Sequence, residues 1–139
     1  MERESRLEAF GLADETTLIG LADDVLSDFE VEVTRGPTVG LLMVRVEEPS
    51  ERLPFNFTEV TVSEAEVAAG DHRGYAMVMG KSPERAVAGA VLDAALEANH
   101  RMTPQIEALL ASSVAAGEAA WQRRWSTVAP TLVKFEDVT

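Results

Sequence analysis

His72 and His100 are the only imidazoles in this chain, and there is no cysteine. Without a thiol the chain has no cysteine nucleophile, disulfide, thiolate zinc site or cysteine-bound iron–sulfur cluster of its own. Neither histidine has a second histidine or a carboxylate at the spacing of a metalloprotease helix or a facial triad, so no metal site is expected. Asp71-His72-Arg73 is polar, but it lies between Gly70 and Gly74, where a solvated turn is the ordinary reading. Ser63 and Ser112 lack the glycines of a nucleophile elbow, and no triad assembles around them. No catalytic residue is assigned.

Three weaker constellations remain. Gly80-Lys81-Ser82 follows a strand-like run and opens a helix-like one, as the end of a phosphate-binding loop does. The motif fails five positions earlier, where it needs glycine and Tyr75 stands. What survives is a helix start that could hold an anion, set against a plain helix cap. Asp93 is a carboxylate inside the apolar run 91–96; it either faces water or bonds a backbone amide or a partner's arginine. Trp121, Arg123, Arg124 and Trp125 have the composition of an interface hot spot, although tryptophans four apart also suit a core. With Phe135 in the tail they form the candidate partner surface.

The elements that must carry these residues follow from periodicity. Residues 14–27 set Leu18, Leu21, Val25 and Leu26 on one stripe behind Asp14, an N-cap, which predicts a helix. Residues 29–34 alternate, Gly36-Pro37 supplies a turn, and the almost wholly apolar run 39–46 predicts a strand inside the sheet. Residues 55–67 read as one long strand whose apolar set slips phase, the signature of bulges. A turn over 70–74 precedes a strand at 75–79. Ser82-Pro83 and Thr103-Pro104 each start a long helix, the first rich in Ala with Gly89 and suited to close packing, the second ended by Pro130. Residues 132–138 alternate and suit a sheet edge here or on a partner. The expected class is α+β: a four-stranded antiparallel meander with an N-terminal helix and two long C-terminal helices packed on one face.

The chain's 139 residues suit one domain, residues 1–139, without repeat or linker. A net charge of −12 argues against nucleic acid, whose binders cluster Lys and Arg. Residues 1–33 hold ten Asp/Glu against two Arg, whereas residues 81–139 hold seven against six Lys/Arg, so the acidity is concentrated at the start. This pattern serves solubility, and it also suits a subunit that docks by its neutral side. No apolar run is long enough to span a membrane, and Met1-Glu2-Arg3-Glu4 is unlike a signal peptide, so the cytoplasm is expected.

Three segments in register carry a family likeness: Phe55-Asn56-Phe57-Thr58-Glu59-Val60-Thr61-Val62, then Gly74-Tyr75-Ala76-Met77-Val78-Met79-Gly80, then Ala86 with Ala90-Val91-Leu92-Asp93-Ala94-Ala95. Together they resemble the PhnG family, the G subunits of the bacterial carbon–phosphorus lyase system; Thr58 departs from the glycine common there. The resemblance implies a role in using phosphonates as a phosphorus source. It implies work with H, I and L subunits in joining methylphosphonate to the anomeric carbon of ATP, which releases adenine and gives ribose 1-methylphosphonate 5-triphosphate. It also implies a core complex with PhnH-like, PhnI-like and PhnJ-like partners. This chain would then bind no cofactor itself, ATP and the phosphonate being substrates of the complex, and would act as a non-catalytic subunit. A homodimer of the isolated chain, a stand-alone anion- or small-molecule-binding domain and an acidic structural adaptor stay open as alternatives.

Overall fold

Local signals shape the helical layer first. The computed structural model describes residues 1–131, ordered as α1 (Arg3–Leu12), α2 (Glu15–Leu26), β1 (Glu32–Glu47), β2 (Pro54–Ala69), β3 (His72–Met79), α3 (Pro83–Glu97), α4 (Thr103–Val128) and a final 3-10 turn, Ala129–Thr131. Asp14 caps α2 as expected, its carboxylate accepting from the Thr17 amide at 3.1 Å. Pro83 and Pro104 open α3 and α4, but neither Ser82 nor Thr103 caps with its hydroxyl. The segment ahead of Asp14 is a second N-terminal helix, α1. Its charged residues hide a short apolar face, of which Ala9 and Phe10 are buried.

The sheet has three antiparallel strands in the order β1-β2-β3, not four. The two segments expected to form a hairpin around Gly36-Pro37 are one continuous strand. Arg35 pairs with Glu66 and Thr38 with Glu64, so the Gly-Pro pair is absorbed as a bulge of one extra residue. Gly36 suits that bulge: its φ is +79°, and a Cβ there would stand 2.7 Å from the carbonyl oxygen of Glu64. The phase slip read in β2 is also a bulge, since Val44 pairs with Thr58 while Arg45 pairs with Asn56, leaving Phe57 over. The next turn is tighter than expected. Ala69 pairs with His72 across Gly70-Asp71 alone, with Gly70 at φ +60°.

α3 is the central element. It lies on β2 and β3, with α1 and α2 also against it, and residues 88–95 are all buried. Such a helix is apolar all round because it meets protein on every side. Two glycines set its distance from the sheet. A Cβ on Gly74 would stand 2.0 Å from the Ala90 carbonyl oxygen, and one on Gly89 would stand 2.8 Å from the Ala76 Cβ. The close packing expected of this Ala-rich helix is thus present. α4, by contrast, packs chiefly on α1 and next on α3 rather than on the sheet, which corrects the placing of both long helices on one sheet face. Among the described residues no helix is long and apolar enough to cross a membrane.

Candidate partner interface

Asp93 is fully buried and fully committed. One carboxylate oxygen accepts from the Arg3 guanidinium and from the Tyr75 amide, both at 2.9 Å, and the other from Arg6 Nε at 2.9 Å. Arg6 also pairs with Glu97, and that pairing holds the Glu97 carboxyl below its ordinary value. Of the two readings of Asp93, the backbone amide is the right one, and the arginines are this chain's own. Both oxygens of this buried carboxylate are engaged by the chain's own donors, so the cluster clasps α1 to α3 and β3.

Gly80-Lys81-Ser82 sits where β3 turns into α3. Gly80 has φ +91° and donates to the Thr61 carbonyl at 2.7 Å. The Ser63 hydroxyl, buried, donates to the Gly80 carbonyl and accepts from the Ser82 amide, each at 2.8 Å. The Ser82 hydroxyl donates to Glu15 at 3.1 Å, and Glu84 follows in the first helical turn. Lys81 is exposed. Two carboxylates therefore crowd this helix start, and the Ser82 amide is already used. His72 is exposed at the start of β3, while His100 is tied by its Nε2 to Asp28 at 2.8 Å and accepts at Nδ1 from the Met102 amide. Among the described residues no group of metal-ligating side chains gathers.

Trp121 and Trp125 are 57% and 45% exposed, and neither belongs to the core. Only the first half of α4 is anchored, through Ile106, Leu110 and Ser113. Every residue from 118 to 128 is exposed, an overhang of about 16 Å at the α-helical rise. Val114, Trp121, Trp125 and Val128, spaced 7, 4 and 3, form one exposed apolar stripe along it. Arg124 borders the stripe, but Arg123, two residues from each tryptophan, projects from the opposite side of the helix. Phe135 lies outside the described residues.

A second uncovered apolar surface was not legible in the sequence. β1 and β2 pair over their whole length, but β3 covers β2 only from Val62 to Ala69. Beyond that point residues 41–47 and 54–61 run on as a two-stranded ribbon. The apolar run 39–46, expected inside the sheet, is therefore on an edge strand and largely uncovered, with Leu41 68% exposed. Met43 and Leu42 are exposed on opposite faces of the ribbon, and Phe55 and Phe57 meet edge to face at 6.5 Å. Strand length held the missing signal. Only twelve residues separate Gly70 from Pro83, too few for β3 to flank a sixteen-residue partner.

A ribbon apolar on both faces and a bare tryptophan-bearing helix suit a subunit that closes on other proteins. Sequence comparison points the same way. A family model described as phosphonate metabolism protein PhnG matches residues 1–139. The alpha-D-ribose 1-methylphosphonate 5-triphosphate synthase subunit PhnG of Rhizobium meliloti (strain 1021) is 36% identical over 135 residues, covering 94% of this chain and 85% of the relative. With the match running the length of the chain, and with the Phe55–Val62, Gly74–Gly80 and Asp93 segments forming the ribbon, the glycine contact and the clasp, this protein belongs to the PhnG family.

Proposed function

We propose that this chain is a non-catalytic subunit of the synthase that makes alpha-D-ribose 1-methylphosphonate 5-triphosphate from ATP and methylphosphonate, releasing adenine, in phosphonate breakdown. Membership of the PhnG family, with a synthase subunit as relative, carries the reading. The geometry supports a helper role over a catalytic one: the one carboxylate buried among the described residues is engaged by the fold, and the ribbon and the far half of α4 expose apolar side chains. The partners are PhnI-like, PhnH-like and PhnJ-like subunits, and the setting is the cytoplasm. The chain shapes or steadies an active site whose reacting groups lie on those partners. Gly80-Lys81-Ser82 ranks lower, as a point of approach for the triphosphate or phosphonate, because Glu15 and Glu84 flank it.

Reconstitution tests this. The purified chain alone is expected to release no adenine from ATP with or without methylphosphonate, and release is expected once the other subunits are added. Adenine release by the chain alone, scaling with its concentration and surviving repurification, would overturn the helper role.

A further inference from the structure

We propose that residues 54–61 of β2 receive an extended strand from a partner subunit, which takes the place beside β2 that β3 leaves empty. This deepens the helper-subunit reading and rests on it. The argument is one of main-chain accounting. Along residues 62–69 β2 has a neighbour on both sides, β1 and β3. The Gly80 amide makes the last bond of the inner ladder, to the Thr61 carbonyl, and the chain then turns away into α3. Thr61 thus directs its main-chain groups to the β3 side, and by the alternation of an antiparallel strand so does Glu59. Its neighbour across the ribbon, Met43, faces it as a non-hydrogen-bonded pair. Among the described residues no backbone group answers Glu59 on that side; its carbonyl meets only the Thr58 hydroxyl, at 3.4 Å. The open edge is about 25 Å long.

Composition selects this edge over the outer edge of β1. β1 is defended by two bulges, by Pro37 and by Arg35 and Arg45. Residues 54–61 are less defended: they open on Pro54 and carry one bulge, at Phe57, but hold a single charge, Glu59, and present Phe55 and Phe57. Two strands alone are marginal in water, whereas a third makes a sheet with apolar faces on both sides. The fitting occupant is a stretch with apolar residues at alternate positions, low in acid, with Lys, Arg or Thr opposite Glu59. The ladder it would extend is the β2–β3 ladder already formed.

Glu59→Pro removes the outward amide and leaves the β1 ladder intact, because proline is tolerated where the missing N–H faces solvent. Co-expressed with the PhnI-like, PhnH-like and PhnJ-like subunits, this variant is expected to assemble about tenfold less well or worse, while Glu59→Thr, which keeps the amide, assembles as the parent does. Hydrogen exchange on the parent chain gives a second measure: residues 55–61 exchange fast when it is free and slowly in the complex. Normal assembly of Glu59→Pro together with unprotected 55–61 overturns the strand addition alone. Protection already present in the free chain also overturns it, assigning the edge to this chain's own tail if independent of concentration, or to a second copy if not. Failure of the parent chain to associate with any of the subunits would instead bring down the helper-subunit reading.

Discussion

Asp93 determines how α1 joins the rest of the protein, and its loss should be felt well beyond one hydrogen bond. Asp93→Ala would leave the Tyr75 amide and the mostly buried Arg6 without their shared acceptor. Breaking a buried pair from one side costs about 3–5 kcal/mol, which urea unfolding will measure. Tyr75 offers a spectroscopic reading of the same neighbourhood. Burial and the hydrogen bond it donates to Glu64 push its phenol up to about 12. Its folded pKa then lies above the unfolded value, so the associated stability is complete below about pH 10 and is lost as pH rises toward the folded value. It is the only tyrosine, so the near-ultraviolet absorbance of tyrosinate should stay absent at pH 10 in the folded chain and appear there in urea. The acid limb has the opposite sign. Hydrogen bonds from Arg101 and His100 lower the Asp28 pKa, and one from Arg6 lowers that of Glu97. Folded values below unfolded ones give stability that is complete at neutral pH and falls away as pH drops through about 4 and below. A melting series from pH 7 to about pH 3 will follow it.

At the scale of elements, α3 is held where only hydrogen fits. Gly74→Ala would force the Ala90 carbonyl and the Ala94 amide apart, and backbone cannot rotate out of the way as a side chain can. The expected cost is about 3 kcal/mol or more, or failure to fold, whereas Gly11→Ala, at a helical position whose Cβ would meet nothing, is expected to be neutral or to gain up to about 1 kcal/mol. Trp125→Ala is expected to leave the melting temperature of the free chain within a few degrees and to weaken capture of the PhnI-like subunit about thirtyfold or more. Denaturation of the free chain by Trp121→Ala and Trp125→Ala would move the partner surface elsewhere. These elements differ in how far they were legible. Ser82-Pro83, the cap at Asp14 and the Ala-Gly pattern of α3 are local signals, readable without the rest of the chain. The single β1 strand was not, because Gly36-Pro37 has the chemistry of a turn and only pairing with Glu64 and Glu66 makes it a bulge. Exposure was hardest to read. Trp121 and Leu41 sit on patterns that normally mark a core, and periodicity reports that a side chain is apolar without saying whether its cover is in the same chain.

Across the whole molecule, the described chain divides into a well-packed body and two projections, the ribbon and the far half of α4. The body has its own core of residues from all four helices and from β2 and β3, so the chain is expected to fold without its partners and to unfold cooperatively. The projections bury little within the chain, so their amides should exchange first. Lys81→Glu in the complete synthase is expected to lower turnover without lowering the melting temperature; unchanged turnover would leave Gly80-Lys81-Ser82 as a helix start and nothing more. The ribbon has a further consequence for the cell. Phe55 and Phe57 beside the open edge of β2, with the exposed Leu41 and Met43 on the strand next to them, resemble the surface by which quality-control machinery detects a damaged protein. A copy made in excess of its partners would be bound by chaperones, aggregated or degraded. The amount of this subunit would thus be set by the supply of the others, and stoichiometry would be kept by clearance of unassembled copies as well as by matched synthesis.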